Sequence, residues 1–172
     1  DSLNGGAGND IIYFDQFDTV VKGGSGYDAA NFMGATQGLR AFNLTGNEIE
    51  ELTWITNGNL YVLTAGAGGS RTEIVVDATG SETSFQKRTT VLDSLLRQEL
   101  VDITNDAGVR FLYDYDPSNA AAWNLILQVF DTLDRLDYTD TRYDNNSRIV
   151  RDEDEEAAFN WSSITTTYTG AG

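Results

Sequence analysis

The sequence predicts an all-β chain that opens as a parallel β-roll or β-solenoid and continues as β-hairpin repeats with a 38-residue period. Three observations carry this. First, Gly5-Gly6-Ala7-Gly8-Asn9-Asp10 and Gly23-Gly24-Ser25-Gly26-Tyr27-Asp28 share one glycine-aspartate pattern at a spacing of 18 residues, and each precedes a short apolar stretch, Ile11-Ile12-Tyr13 or Ala29-Ala30-Asn31-Phe32. Second, from Phe85 onward identical residues recur at an offset of 38. Third, a single Pro and 17 Gly accompany many Thr, Tyr, Val and Ile, a mixture that favours strands and turns over helices.

The opening segment, about residues 1–33, follows from the spacing. In a parallel roll one nonapeptide makes a loop and a short strand, so two make a full turn and residues 18 apart stack. Glycines admit positive φ and let carbonyl oxygens turn inward, while Asp10 and Asp28 add hard carboxylate oxygens. Stacked loops of this kind suit calcium, which takes six to eight oxygens at about 2.3–2.6 Å. Both blocks fit the pattern G-G-x-G-x-D-x-U-x. The stretch thus resembles the RTX (repeat-in-toxin) calcium-binding β-roll of proteins exported by bacterial type I secretion.

The resemblance implies Ca2+ as cofactor, with Asp10 and Asp28 as side-chain ligands and the backbone of Gly5, Ala7, Gly8, Gly23, Ser25 and Gly26 completing the shell. Asp1, nine residues before Asp10, looks like the last ligand of a preceding repeat. The intermediate block Phe14-Asp15-Gln16-Phe17-Asp18-Thr19 falls in frame without the glycines or the final Asp, which leaves Asp15 and Asp18 as candidate ligands on the opposite side or as solvated acids.

Residues 34–84 keep a strand-and-turn rhythm without the motif. Alternation predicts strands at Leu39–Leu44, Ile49–Ile55, Leu60–Thr64 and Glu73–Asp77, with turns at Thr45–Asn47, Asn57–Asn59 and Ala65–Ser70. The expectation is solenoid coils continuing from the roll, with side-chain packing in place of calcium. The glycines of Ala65–Ser70 lack the lysine and helix of a phosphate-binding loop and read as a plain turn.

Residues 85–172 carry the longer period. Phe85, Trp123 and Trp161 are evenly spaced, and Asp93, Leu95, Arg97, Asp102, Asp106, Arg110, Asp114, Asp116 and Ala120 all recur 38 residues later. The third copy stops soon after Trp161. Each unit reads as three strands separated by turns, then an acidic loop; the second copy gives strands at Trp123–Phe130, Arg135–Thr141 and Arg148–Asp152. Asp116-Pro117-Ser118-Asn119 could open one helical turn. Phe130-Asp131-Thr132-Leu133-Asp134-Arg135-Leu136 is similar to the YD repeats of Rhs-type shell proteins, Y-D-x-x-G-R-L, with Asp134 in the glycine place. That resemblance covers about residues 85–168 and implies stacked hairpins, not an activity.

Composition narrows the function. With 27 acidic and 11 basic residues the net charge is −16, which suits a cation binder and argues against nucleic acid or an anionic membrane surface. There is no His and no Cys, so His-based triads, His-ligated zinc, thiolate sites and disulfides are excluded. No apolar run approaches the roughly 20 residues of a membrane span. The expectation is therefore a calcium-binding structural module, secreted or at the bacterial cell surface, within a larger parent chain and folding when calcium binds. One alternative is an adhesin module whose aromatics, Phe85, Trp123 and Trp161 among them, take a glycan or cell-surface ligand. Another is enzymatic, either a β-solenoid lyase or calcium-triggered self-cleavage at Asp116-Pro117; without His or a distinct acid–base pair, no catalytic residue is expected.

Overall fold

In the computed structural model the described residues are 1–15, 17–33, 48–56, 59–77, 84–154 and 161–170. They form strands and one short 3-10 turn at Ala67–Gly69, with no α-helix. The chain is all-β, as its composition predicts. Two compact units divide it: Asp1–Glu82 with Leu92–Leu96, and Thr83–Val91 with Arg97–Gly172. Residues 1–33 and 34–82, separate by sequence pattern, thus fall in one unit.

The first unit starts with two parallel ladders. β1 (Ser2–Ala7) pairs with β3 (Val20–Ser25), placing Leu3 beside Val21 and Gly6 beside Gly24. β2 (Ile11–Phe14) pairs with β4 (Ala29–Phe32), placing Ile11 beside Ala29 and Phe14 beside Phe32. Every one of these partners is 18 residues away, the spacing of the glycine-aspartate blocks. Alternation decides the inner face: Ile12 and Phe14 are buried while Ile11 and Tyr13 are exposed. The two ladders belong to different sheets, yet Val21 from one and Ile12, Phe14 and Ala30 from the other share a single core cluster. Phe14 and Phe32 meet edge to face, with centroids 5.1 Å apart.

β5 (Glu51–Thr56) adds to β4, again in parallel, but at an offset of 22: Ala29 faces Glu51 and Phe32 faces Trp54. Ile49, Leu52 and Trp54 extend the core; burying Leu52 alone contributes about 1.5–3 kcal/mol. The solenoid expectation for residues 34–84 ends there. β6 (Asn59–Ala65) returns antiparallel on β5, and β7 (Arg71–Asp77) antiparallel on β6. Thr56 pairs directly with Asn59, and so short a connection permits a hairpin but no parallel crossover. Trp54 then stacks on its cross-strand partner Tyr61 at 5.1 Å and 9°. The strand expected at Leu39–Leu44 and the turn at Thr45–Asn47 lie outside the described residues.

The second unit is an antiparallel meander. β8 (Phe85–Leu92) leads into β9 (Gln98–Asn105), β10 (Arg110–Tyr115), β11 (Trp123–Phe130), β12 (Leu136–Tyr143), β13 (Arg148–Glu153) and β14 (Ser163–Tyr168), each from β9 on paired with the next. Asp116–Asn119 is a turn and not the helical turn its Asp-Pro opening suggests. Asp116 Oδ2 accepts the Ala121 N–H at 2.5 Å, its Oδ1 accepts the Ser118 hydroxyl at 2.9 Å, and Asn119 takes a left-handed φ of 55° that stops a helix. Phe85, Trp123 and Trp161 are half-buried.

Several local structures recur at the 38-residue offset. Asp93 and Asp131 accept the N–H groups of Leu95 and Leu133 through Oδ1 at 2.9 and 2.8 Å, and Leu96 and Asp134 both have φ of 60°. Gly108 and Asn146 both have positive φ and donate to the oxygens of Asn105 and Tyr143 at 2.9 and 3.0 Å. Arg110 grips Asp102 in a two-pronged bond (2.9 and 3.0 Å) and lies over the Phe130 ring at 5.1 Å. Arg148 holds Asp140 at 2.7 Å and lies over the Tyr168 ring at 5.5 Å. Ion pairs matter here because, among the described residues of this unit, Val101 is the one buried hydrophobic side chain.

Candidate metal centre

The two glycine-aspartate blocks form the loops that join β1 to β2 and β3 to β4, so the parallel ladders on either side force them into register. Hydrogen bonds run from loop to loop. Gly8 N–H donates to the Ser25 oxygen (2.8 Å), Tyr27 N–H to Asn9 Oδ1 (3.0 Å), and Asp10 N–H to Asp28 Oδ1 (2.8 Å). Asp10 thus stands one rung from Asp28, as their spacing predicts. Gly6 and Gly24, paired with each other, take φ of 100° and 110°, where a side chain is strained.

The carboxylates are only half used. Asp28 is fully buried, and among the described residues neither Asp28 Oδ2 nor Asp10 Oδ2 has a hydrogen-bond partner. A buried carboxylate in that state is costly unless a cation or proton meets it. Each free oxygen faces a glycine. A Cβ on Gly5 would lie 2.7 Å from Asp10 Oδ2 and 2.6 Å from the Gly23 carbonyl oxygen. A Cβ on Gly23 would lie 2.7 Å from Asp28 Oδ2 and 1.8 Å from the Glu48 carbonyl oxygen. A side chain at either position would collide with the carboxylate and with a backbone carbonyl of the next rung, so only glycine lets these oxygens pack so close to the chain.

That donor set fits a hard cation. Among the described residues no group of three or more acidic side chains converges, so a cation here would draw on backbone carbonyls beside Asp10 and Asp28. The carbonyl of Ser25 already accepts the Gly8 N–H, and the carbonyl of Gly23 packs against Gly5. Ala7, Gly8 and Gly26 lie in the same stacked loops.

Asp15 and Asp18 sit at the opposite bend, between β2 and β3, and Asp1, just before β1, lies beside them with its amino group 3.6 Å from Asp18 Oδ1. The Asp1 side chain is exposed, and the Asp1 carbonyl accepts both the N–H and the hydroxyl of Thr19, the residue 18 positions on (2.8 and 2.9 Å). Asp15 Oδ1 accepts the Phe17 N–H at 2.8 Å, and Asp18 Oδ2 accepts the Asp15 N–H at 2.9 Å. These carboxylates are taken up by a local turn and do not join Asp10 and Asp28.

One acidic residue of the ladder escaped the sequence reading. Asp28 N–H donates to Glu50 Oε2 at 2.6 Å, and Glu50 and Glu51 N–H both donate to the Asp28 carbonyl. Glu50 is thus the rung after Asp28. The signal is faint: Thr45-Gly46-Asn47-Glu48-Ile49-Glu50 keeps the second glycine and the final acid, but four extra residues shift it out of the 18-residue frame. Farther along, Asp114 is held above the usual carboxylate range by burial and then by the Asp116 charge, whereas Asp116 is held below it, mainly by the Ala121 N–H. The acidic cluster around Asp152–Glu156 is described only as far as Asp154.

The chain matches no protein-family model and no curated protein.

Proposed function

We propose that this chain is a calcium-binding structural module whose first coils form a β-roll of the RTX kind. One observation carries the reading: two carboxylate oxygens, Asp10 Oδ2 and Asp28 Oδ2, are buried without hydrogen-bond partners among the described residues, each packed against a glycine, Gly5 or Gly23. The net charge of −16 points the same way, since a divalent ion offsets charge that otherwise resists compaction. A cation bound by the folded state alone acts as a folding ligand. Such a module stays loose where calcium is scarce and folds outside the cell. The period-38 segment is then an architectural repeat of hairpins, each copy closed by an Asp–Arg pair and an aromatic ring.

A calcium titration followed by circular dichroism tests this. A gain in β signal that Asp10→Ala plus Asp28→Ala abolishes is the expected result. A chain equally folded in chelator and in calcium, with the double variant indistinguishable from the parent, refutes it.

A further inference from the structure

We infer that the polar groove where β12 turns into β13 binds a small hydroxylated carboxylate, the chemistry of an acidic sugar, on the paired arginines Arg142 and Arg148. The groove lies in the second unit and is independent of the calcium reading.

The 38-residue repeat supplies its own comparison. In the earlier copy Arg110 pairs with Asp102 and also reaches Asp134 at 3.2 Å, and its register partner across the ladder is Thr104. One cation there meets two carboxylates. In the later copy Asp102 and Arg110 become Asp140 and Arg148, Asp134 becomes Gly172, and Thr104 becomes Arg142. Two cations there share one carboxylate. The local charge thus turns from net negative to net positive, in a chain with 11 basic residues against 27 acidic ones.

Arg142 and Arg148 are also direct register partners across β12 and β13, and like charges so placed are destabilising. The Asp140 carboxylate, 1% exposed, accepts Arg148 Nε at Oδ1 (2.7 Å) and Arg142 Nε and Nη2 at Oδ2 (3.2 and 3.1 Å). It holds the two forks side by side but neutralises only one. The Tyr168 ring, 5.5 Å from Arg148, and the Tyr138 hydroxyl, which accepts Arg148 Nη2 at 3.1 Å, fix that side chain further. Among the described residues no hydrogen bond engages Nη1 of either arginine, and the side chains of Arg142 and Arg148 are 52% and 38% exposed, so both reach a ligand from solvent. The groove has a volume of about 530 Å³ and is completed by Asn124, Tyr143, Asn146 and Ser147; the described residues of its wall include no carboxylate. That volume is in the range of small-molecule sites and exceeds what a bare ion needs. Guanidinium forks match a planar carboxylate through paired bonds, and amide and hydroxyl groups, which both donate and accept, suit sugar hydroxyls.

The test follows chemical shifts of the isotope-labelled whole chain, arginine Nε–H signals included, as glucuronate is added. Acetate and glucose, the two halves of that probe, are titrated separately. Glucuronate should shift the Arg142, Arg148 and Asn146 signals saturably, and each half should bind about tenfold more weakly or worse. Arg142→Thr restores the residue type of the earlier copy and leaves the Asp140–Arg148 pair intact. It should weaken glucuronate about tenfold or more, the value of a charge-assisted hydrogen bond. Arg142→Lys keeps the charge without the fork; it should also lose most of the affinity, and it carries the test if Arg142→Thr fails to fold. Arg110→Lys, in the earlier copy, should bind as the parent does. Acetate binding as tightly as glucuronate overturns the sugar assignment. No shift with glucuronate, or shifts that persist unchanged in both Arg142 variants, overturns the site.

Discussion

Asp28 Oδ1 accepts the backbone N–H of Asp10 at 2.8 Å, while Oδ2 of the same fully buried carboxylate has no partner among the described residues. One carboxylate thus serves the ladder with one oxygen and leaves the other packed against Gly23. This division gives opposite expectations with and without calcium. Asp28→Asn keeps an acceptor for Asp10 and removes a buried charge. In chelator it should stabilise the first unit by about 1–3 kcal/mol, the scale of an unsatisfied buried group. In millimolar calcium the parent should be the more stable. Urea unfolding in the two buffers checks the reversal; the same sign in both contradicts it.

Asp140 and Asp102 are matched residues of unequal weight. The Asp140 side chain is 1% exposed and receives both Arg148 and Arg142, whereas Asp102 is 27% exposed and holds Arg110. Removing a buried partner strands the cations it held. Asp140→Ala should cost about 2–4 kcal/mol, reduced from a fully buried pair because both arginines reach solvent, and Asp102→Ala about 1–2 kcal/mol. Chemical denaturation of each variant should preserve that order.

Leu96 has a φ of 60° on an exposed turn. A side chain there costs about 1–2 kcal/mol relative to the right-handed region, and glycine removes that cost while adding unfolded-state entropy. Leu96→Gly should raise the melting temperature by a net stabilisation of about 0.5–1 kcal/mol. Asp134, matched to Leu96 and also at 60°, should gain less, because its carboxylate pairs with Arg110 at 3.2 Å.

Asp131 is held below the usual carboxylate range, first by the Arg135 N–H and then by the Arg135 side chain and the Leu133 N–H. A depressed folded-state value means the stabilisation is fully present above the unfolded value of about 3.9 and is lost as pH falls through the folded one. The stability gap between the parent and Asp131→Asn should therefore be constant above about pH 5 and shrink below about pH 4. A gap that widens on acidification would contradict this assignment.

The all-β class, the 18-residue register and the stacking of Asp10 with Asp28 are legible in the order of residues alone. Those follow from local pattern: glycines set where loops turn, alternation sets which face is buried, and a fixed spacing repeats both. The same order marks Asp102, Arg110, Asp140 and Arg148 as recurring residues. Which oxygens those residues leave free depends on how the ladders stack. Glu50 joins the ladder through a 22-residue offset that no single spacing reveals, and its bond to Asp28 exists because β5 lies parallel on β4. The change from parallel coils to an antiparallel meander at β6 was equally hidden. A strand's alternation is the same in either direction, and direction is set by the length of the connection and by what core the strand reaches. Asp1, Asp15 and Asp18 looked like ligands by type and frame, and the structure satisfies Asp15 and Asp18 within a turn because short-range backbone N–H groups reach them first.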